Sequence, residues 1–132
     1  MFLCEGVRDI VHSDPVAVRI EYHIVRDTDG FGYFGIGTLG GYDATRFNQI
    51  CLWAYATQPD QAFRLKVKDT RERERGVDVT VRGINEWSQI CVDLDNFSNQ
   101  GVDLSQLDNI NLSFEEANGS ATVWVDDFEL VE

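Results

Sequence analysis

Proline is scarce in this chain: two among 132 residues, Pro15 and Pro59. Both fall outside the runs of alternating apolar residues, which are therefore free to form hydrogen-bonded ladders. Basic residues are also few, 11 Lys and Arg against 23 Asp and Glu, for a net charge of -12. That excludes a nucleic-acid partner, because no basic stripe exists to displace counterions from phosphates. It excludes an anionic membrane surface for the same reason. No run approaches the roughly 20 apolar residues of a membrane span. The opening Met1-Phe2-Leu3-Cys4-Glu5 has neither the charged leader nor the apolar core of a signal peptide. The three cysteines, Cys4, Cys51 and Cys91, are odd in number and widely spaced, which gives neither a metal motif nor a disulfide framework. Unpaired thiols are the expectation. A Cys51–Cys91 bridge is the alternative, since both side chains can point to one sheet face.

What is present reads as β structure. Hydrophobic residues make up 43% of the chain, which is too many for a disordered polymer, and the length suits a single domain over residues 1–132. The dominant hydrophobic period is two. Val18, Ile20, Tyr22 and Ile24 share one face of a strand over 17–25, with Arg19, Glu21 and His23 on the other. A turn at Asp27-Thr28-Asp29-Gly30 leads into an aromatic, glycine-rich strand over 31–37. Strands follow at 49–57 and 62–68, where Phe63, Leu65 and Val67 face in and Arg64, Lys66 and Lys68 face out. Arg71 to Arg75 alternates in sign and reads as a solvated loop or strand end. Val77, Val79 and Val81 mark another inward row, followed by a strand over 87–94. A polar connection over 95–109 carries a helical turn near Leu104 to Leu107. Ile110, Leu112 and Phe114 form an inward row, Asn118-Gly119 reads as a hairpin turn, and the last strand covers 121–131. Seven or more short strands separated by turns predict an all-β sandwich or barrel.

The second half carries an ordered set of segments. Asp43 to Ala56 is an aspartate-led apolar strand, and Phe63 to Lys68 an alternating one. Then come Trp87-x-x-Ile90-x-Val92-Asp93-Leu94 with Phe97, Asp103-Leu104-Ser105-x-Leu107-x-x-Ile110, and Val123-Trp124-Val125-Asp126-Asp127-Phe128-x-Leu130. This order resembles the galactose-binding-like jelly-roll modules attached to glycoside hydrolases, including binders of cellulose and mixed-linkage glucan. It also resembles the complex I intermediate-associated protein 30 domain, which leaves a protein-interaction domain as the alternative. The resemblance spans roughly residues 17–131. It implies a jelly-roll β-sandwich of two antiparallel sheets, and a non-catalytic carbohydrate-binding module that holds a polysaccharide on a concave sheet face. It further implies a catalytic module in the same parent chain and an extracellular or cell-surface location. With this net charge, a neutral β-glucan or xylan is the more natural ligand than an acidic glycan.

Sugar binding needs an aromatic platform for pyranose C–H faces, with polar groups beside it for hydroxyls. Trp53 and Tyr55 alternate with the apolar residues of their strand and therefore face outward. The competing reading for them is an intermodule contact or coverage by a loop. Arg64 and Asp78 also face outward. Similar modules place a cleft aromatic where Tyr33 stands and a ligand-contacting aspartate where Asp108 stands. Trp87 is expected in the core. The resemblance also implies a structural calcium ion, with Asp126 and Glu5 as its candidate ligands; the alternative for Asp126 is hydrogen bonding to turn amides. Calcium takes six to eight oxygens. Catalysis has little support. His12 and His23 stand apart, and neither a nucleophile elbow nor a phosphate loop occurs.

Overall fold

The computed structural model describes residues 2–10, 12, 17–24, 32–115 and 119–132. Nine strands form among them: β1 (Phe2–Val7), β2 (Ala17–Ile24), β3 (Gly32–Tyr42), β4 (Gln49–Ala56), β5 (Ala62–Asp69), β6 (Glu74–Thr80), β7 (Trp87–Asp93), β8 (Leu107–Phe114) and β9 (Gly119–Val131). One helical turn, α1 (Asp95–Ser98), and a 3-10 turn at Leu104–Gln106 lie between β7 and β8. The strands make two antiparallel sheets. Sheet A has the order β1-β2-β9-β4-β7, and sheet B the order β3-β8-β5-β6.

Period-two sequences give this result because each strand has one apolar face to hide. Leu52, Ala54 and Ala56 on β4 face Phe63, Leu65 and Val67 on β5 and Leu112 and Phe114 on β8, all of them wholly buried. Phe114 sits in an aromatic knot, its ring centroid 4.6 Å from Tyr22 and 5.5 Å from both Phe2 and Phe63. The Tyr22 hydroxyl donates to Gln61 at 2.7 Å, and burial pushes its pKa up to about 12. Gly32 lets β3 pass over Phe2: a Cβ there would fall within 2.0 Å of that ring. The predicted turns at Asp27 to Gly30 and at Asn118, and Phe31, lie outside the described residues.

Two local features depart from simple alternation. On β9, Val123 and Val125 are buried, yet the inward row resumes at Phe128 and Leu130. A bulge resets the phase. Cys51 faces Glu129 while Trp53 faces Asp126, and Asp127 takes the left-handed conformation (φ 51°) that the extra residue needs. The paired aspartates and the switch from Val-x-Val to Phe-x-Leu make this bulge readable in sequence. Trp124 and Asp126 therefore lie on the outer side of sheet A. The second feature is Asp69, at the end of β5 and wholly buried. Its carboxylate accepts from the amides of Arg71, Arg73 and Asp103 and from the Arg73 guanidinium, at 2.8 to 3.0 Å. It ties the β5–β6 turn to the connection before β8.

The cysteines correct the expectation of free thiols. Cys51 and Cys91 are directly opposite on β4 and β7 and form a disulfide. Both belong to the outward set of their strands, so the ladder itself brings them together. Cys4 is free and half-buried, and burial raises its pKa.

Candidate functional site

Outward-facing residues decide what each sheet can do. Across sheet A the register sets Glu5, Arg19, Trp124, Tyr55 and Trp87 in one row. Trp53 stands in the adjacent row, beside Asp126 on one side and Gln89 on the other. These rings pack on one another: Tyr55 meets Trp124 at 5.5 Å and Trp87 at 5.7 Å, both edge to face. The connection between β1 and β2 brings His12 onto them. Its imidazole stacks on Trp53 with centroids 4.0 Å apart, and its edge meets Trp87. The His12 amide donates to Asp126, and its Nδ1 lies 2.6 Å from an Asp127 oxygen. The bulge on β9 thus presents two acceptors that fasten His12 over Trp53.

Sheet B is different. Tyr33 on β3 pairs with Ser113 on β8, Ser113 with Arg64 on β5, and Arg64 with Asp78 on β6, which makes one row across all four strands. The next row runs Gly35, Asn111, Lys66, Gly76. Arg64 is held by Asp78 at 3.4 Å and by the Gly76 carbonyl at 3.0 Å, and Lys66 by Glu115 at 3.3 Å. Arg64, Lys66, Glu74, Arg75, Gly76 and Glu115 line a hollow of about 260 Å³ on this face. A larger hollow, about 530 Å³, opens at the side of the sandwich between the free edges of β6 and β7. Asp78 lines the larger hollow and is ion-paired with Arg64 of the smaller one.

The candidates read from sequence therefore fall in three places, which corrects the expectation of one shared platform. Tyr33, Arg64 and Asp78 are brought into a single row. Trp53 and Tyr55 lie on the opposite face of the sandwich, where the loop-coverage reading fits them. Asp108 is half-buried at the start of β8, five residues and about 17 Å along the strand from Ser113. Trp87 is packed, but outside the sandwich and not in its core. Ser113, Asn111 and Lys68 complete the face of sheet B. Their alternation with Ile110, Leu112 and Phe114 on β8, or with Leu65 and Val67 on β5, was the signal for them.

The carboxylates proposed for calcium do not fit that ion as a pair. Glu5 is ion-paired with Arg19 and is separated from β9 by the whole of β2, two strand spacings or about 10 Å. Asp126 accepts from the His12 and Asp127 amides. Among the described residues, no three His, Cys, Asp or Glu side chains are grouped to hold a metal ion.

No family model matches the chain, and no curated protein does. Solved structures do. A family 30 carbohydrate-binding module of a cellulosomal cellulase of Clostridium thermocellum superposes with a TM-score of 0.76 at 15% identity, over 98% of this chain and 82% of that one. The chain has the fold of a carbohydrate-binding module. A family 11 module of Clostridium thermocellum, solved with a β-1,3-1,4-mixed-linked tetrasaccharide, gives 0.74 at 16% identity over 99% of this chain and 82% of that one. An exo-β-agarase matches at 0.70 and 13% identity, over 98% of this chain but only 22% of its own length. In the agarase the matching part is thus one segment of a much longer chain.

One prediction follows for sheet A. Trp53→Ala lowers stability by about 2 kcal/mol, since a half-buried indole stacked under His12 is removed. Glycan affinity stays unchanged. A urea melt and an affinity gel on the same variant check both parts; lost binding with intact stability would return Trp53 to the role of a ligand platform.

Proposed function

We propose that this chain is a non-catalytic module that lays a polysaccharide of the β-glucan or xylan type along the outer face of sheet B, as part of a longer extracellular or cell-surface protein. The row Tyr33–Ser113–Arg64–Asp78 carries the reading. Tyr33, Ser113, Arg64 and Asp78 share one register row across four strands of sheet B; Ser113 is buried within it, and Arg64 and Asp78 are its solvent-reaching polar groups. A pyranose chain needs such a set: a ring to stack on, donors and acceptors beside it, and an open trough along which further sugars can extend. In the second row, Gly35 leaves open space at the β3 end, while Arg64 and Lys66 lie over Gly76 at the β6 end. The service to an attached enzyme is a raised local concentration of its substrate.

Affinity gel electrophoresis over soluble glucans and xylans tests the face. Arg64→Ala and Tyr33→Ala should each weaken binding about tenfold or more, the loss expected when a central interface anchor is truncated. Binding that survives both changes places the ligand elsewhere. A folded sample that binds no glycan at all defeats the reading.

A further inference from the structure

The ligand's charge can be read from where this acidic chain keeps its cations. Seven of its eleven basic residues fall between Arg64 and Arg82. Strand alternation sorts them. The outward positions of β5 are Arg64, Lys66 and Lys68, one every ~7 Å along the strand. The positions paired with them on β8 are Ser113, Asn111 and Asn109, all neutral. On β3 the same rows hold Tyr33, Gly35 and Thr38, also neutral. In these rows β3, β8 and β5 therefore carry three cations and no carboxylate, while β6 sets Asp78 opposite Arg64, Gly76 opposite Lys66 and Glu74 opposite Lys68. The acids stand at the rim: Glu74 and Asp78 on the edge strand β6, and Glu115 beyond the end of β8.

The cations are also laid down to be met. A Cβ at Gly76 would come within 2.9 Å of the Arg64 guanidinium and 3.1 Å of the Lys66 stem, so those chains lie across the space that this glycine leaves open. At Gly35, on the far side of the row, nothing stands within 4 Å. The trough is thus open at one side and floored by cationic side chains at the other. Arg64 and Lys66 each have a rim carboxylate as partner, at the long distances of 3.4 and 3.3 Å. Lys68 makes no hydrogen bond or ion pair among the described residues. For a neutral glycan, a row of amides and hydroxyls would suffice, and three aligned cations would have to be desolvated without return.

We infer that the glycan held on sheet B is anionic, a pyranose chain bearing carboxylate or sulfate groups that Arg64, Lys66 and Lys68 read. This rests on the proposed glycan-binding function and reverses the expectation drawn from net charge. The charge of -12 belongs to the whole molecule, whereas a ligand in the trough senses the nearest charges within about 8 Å at physiological salt.

The test is isothermal titration of the intact chain with matched polysaccharides: neutral β-glucan, unsubstituted xylan, glucuronate-bearing xylan, polyuronate and a sulfated galactan. Each is titrated at low and at roughly physiological salt, for the parent chain and for Lys66→Gln and Lys68→Gln. Both substitutions are of solvent-facing residues, and circular dichroism confirms the fold. The acidic arms should bind more tightly than the neutral ones, by about tenfold, and weaken as salt rises. Each lysine variant should lose most of that margin. Comparison of the uronate and sulfate arms tells which anion is read. Equal or tighter binding of the neutral chains, indifferent to salt and to both variants, overturns the inference and leaves the glycan-binding function standing. No binding in any arm overturns both.

Discussion

Asp69→Ala should cost about 3–5 kcal/mol, the loss expected when the acceptor of several buried charge-assisted hydrogen bonds is removed. Three backbone amides and a guanidinium converge on this wholly buried carboxylate. Asp69→Asn should lose nearly as much, because its NH₂ would point at the Asp103 amide and the Arg73 guanidinium, both donors. Arg73→Ala should lose far less: its side chain is partly exposed and leaves the three amide contacts in place. Urea midpoints for the three variants check the order. Burial alone would raise the Asp69 pKa; the Asp103, Arg73 and Arg71 amides and the Arg73 guanidinium outweigh it and hold it down to about 2. An unfolded aspartate titrates near 3.9, to within about a unit. A pKa lowered on folding contributes stability that is whole above the unfolded value and is lost as pH falls through the folded one. The stability gap between wild type and Asp69→Ala should therefore be constant above about pH 5 and narrow towards pH 2. A gap that stays constant over that range would mean the carboxylate is not ionised in the fold.

Opening the Cys51–Cys91 bridge should lower stability by about 3 kcal/mol, since the link closes a loop of 40 residues in the unfolded chain. For a domain of this size that is a fall in Tm of about 10 °C. The bridge fastens β7, an edge strand, to β4 inside the sheet, so the loss should appear first as fraying of β7 and of the aromatic row that ends at Trp87. Thermal melts with and without a phosphine reductant measure the shift. Thiol titration in denaturant should find one reactive thiol before reduction, Cys4, and three after. Three at the outset would mean that the pair is reduced in solution.

Much of the sandwich was legible because alternation is a local signal. Each of β2, β4, β5, β7, β8 and β9 shows its buried row within seven or eight letters, and the bulge on β9 shows as a break in that row. Four-residue α1 was not legible, since one turn is too short to display a period of 3.6; Phe97 stands there for a single core contact and not for a pattern. The site was only half legible, for a physical reason. Parity says that Trp53, Tyr55, Arg64 and Asp78 all face outward, but a sandwich has two outsides. Which strand belongs to which sheet depends on pairings between distant segments, such as β8 with both β3 and β5. Exposure by parity is likewise blind to a side chain that arrives from outside the sheet, as His12 does on Trp53. The disulfide stood only as the alternative through the same gap: Cys51 and Cys91 are outward in sequence, and only the β4–β7 register makes them opposite.

The strict alternation of β5 has a consequence for how such a domain can change. Phe63, Leu65 and Val67 hold the fold, while Arg64, Lys66 and Lys68 meet whatever lies outside, and the two sets share no position. The outward set can thus be rewritten letter by letter at the even-numbered positions of β5 without disturbing the packing of the odd-numbered ones. That division lets one architecture at 15% identity be shared among chains with unrelated surfaces. It makes β5 the place to graft a new specificity, and it makes any shift of register fatal to both tasks at once.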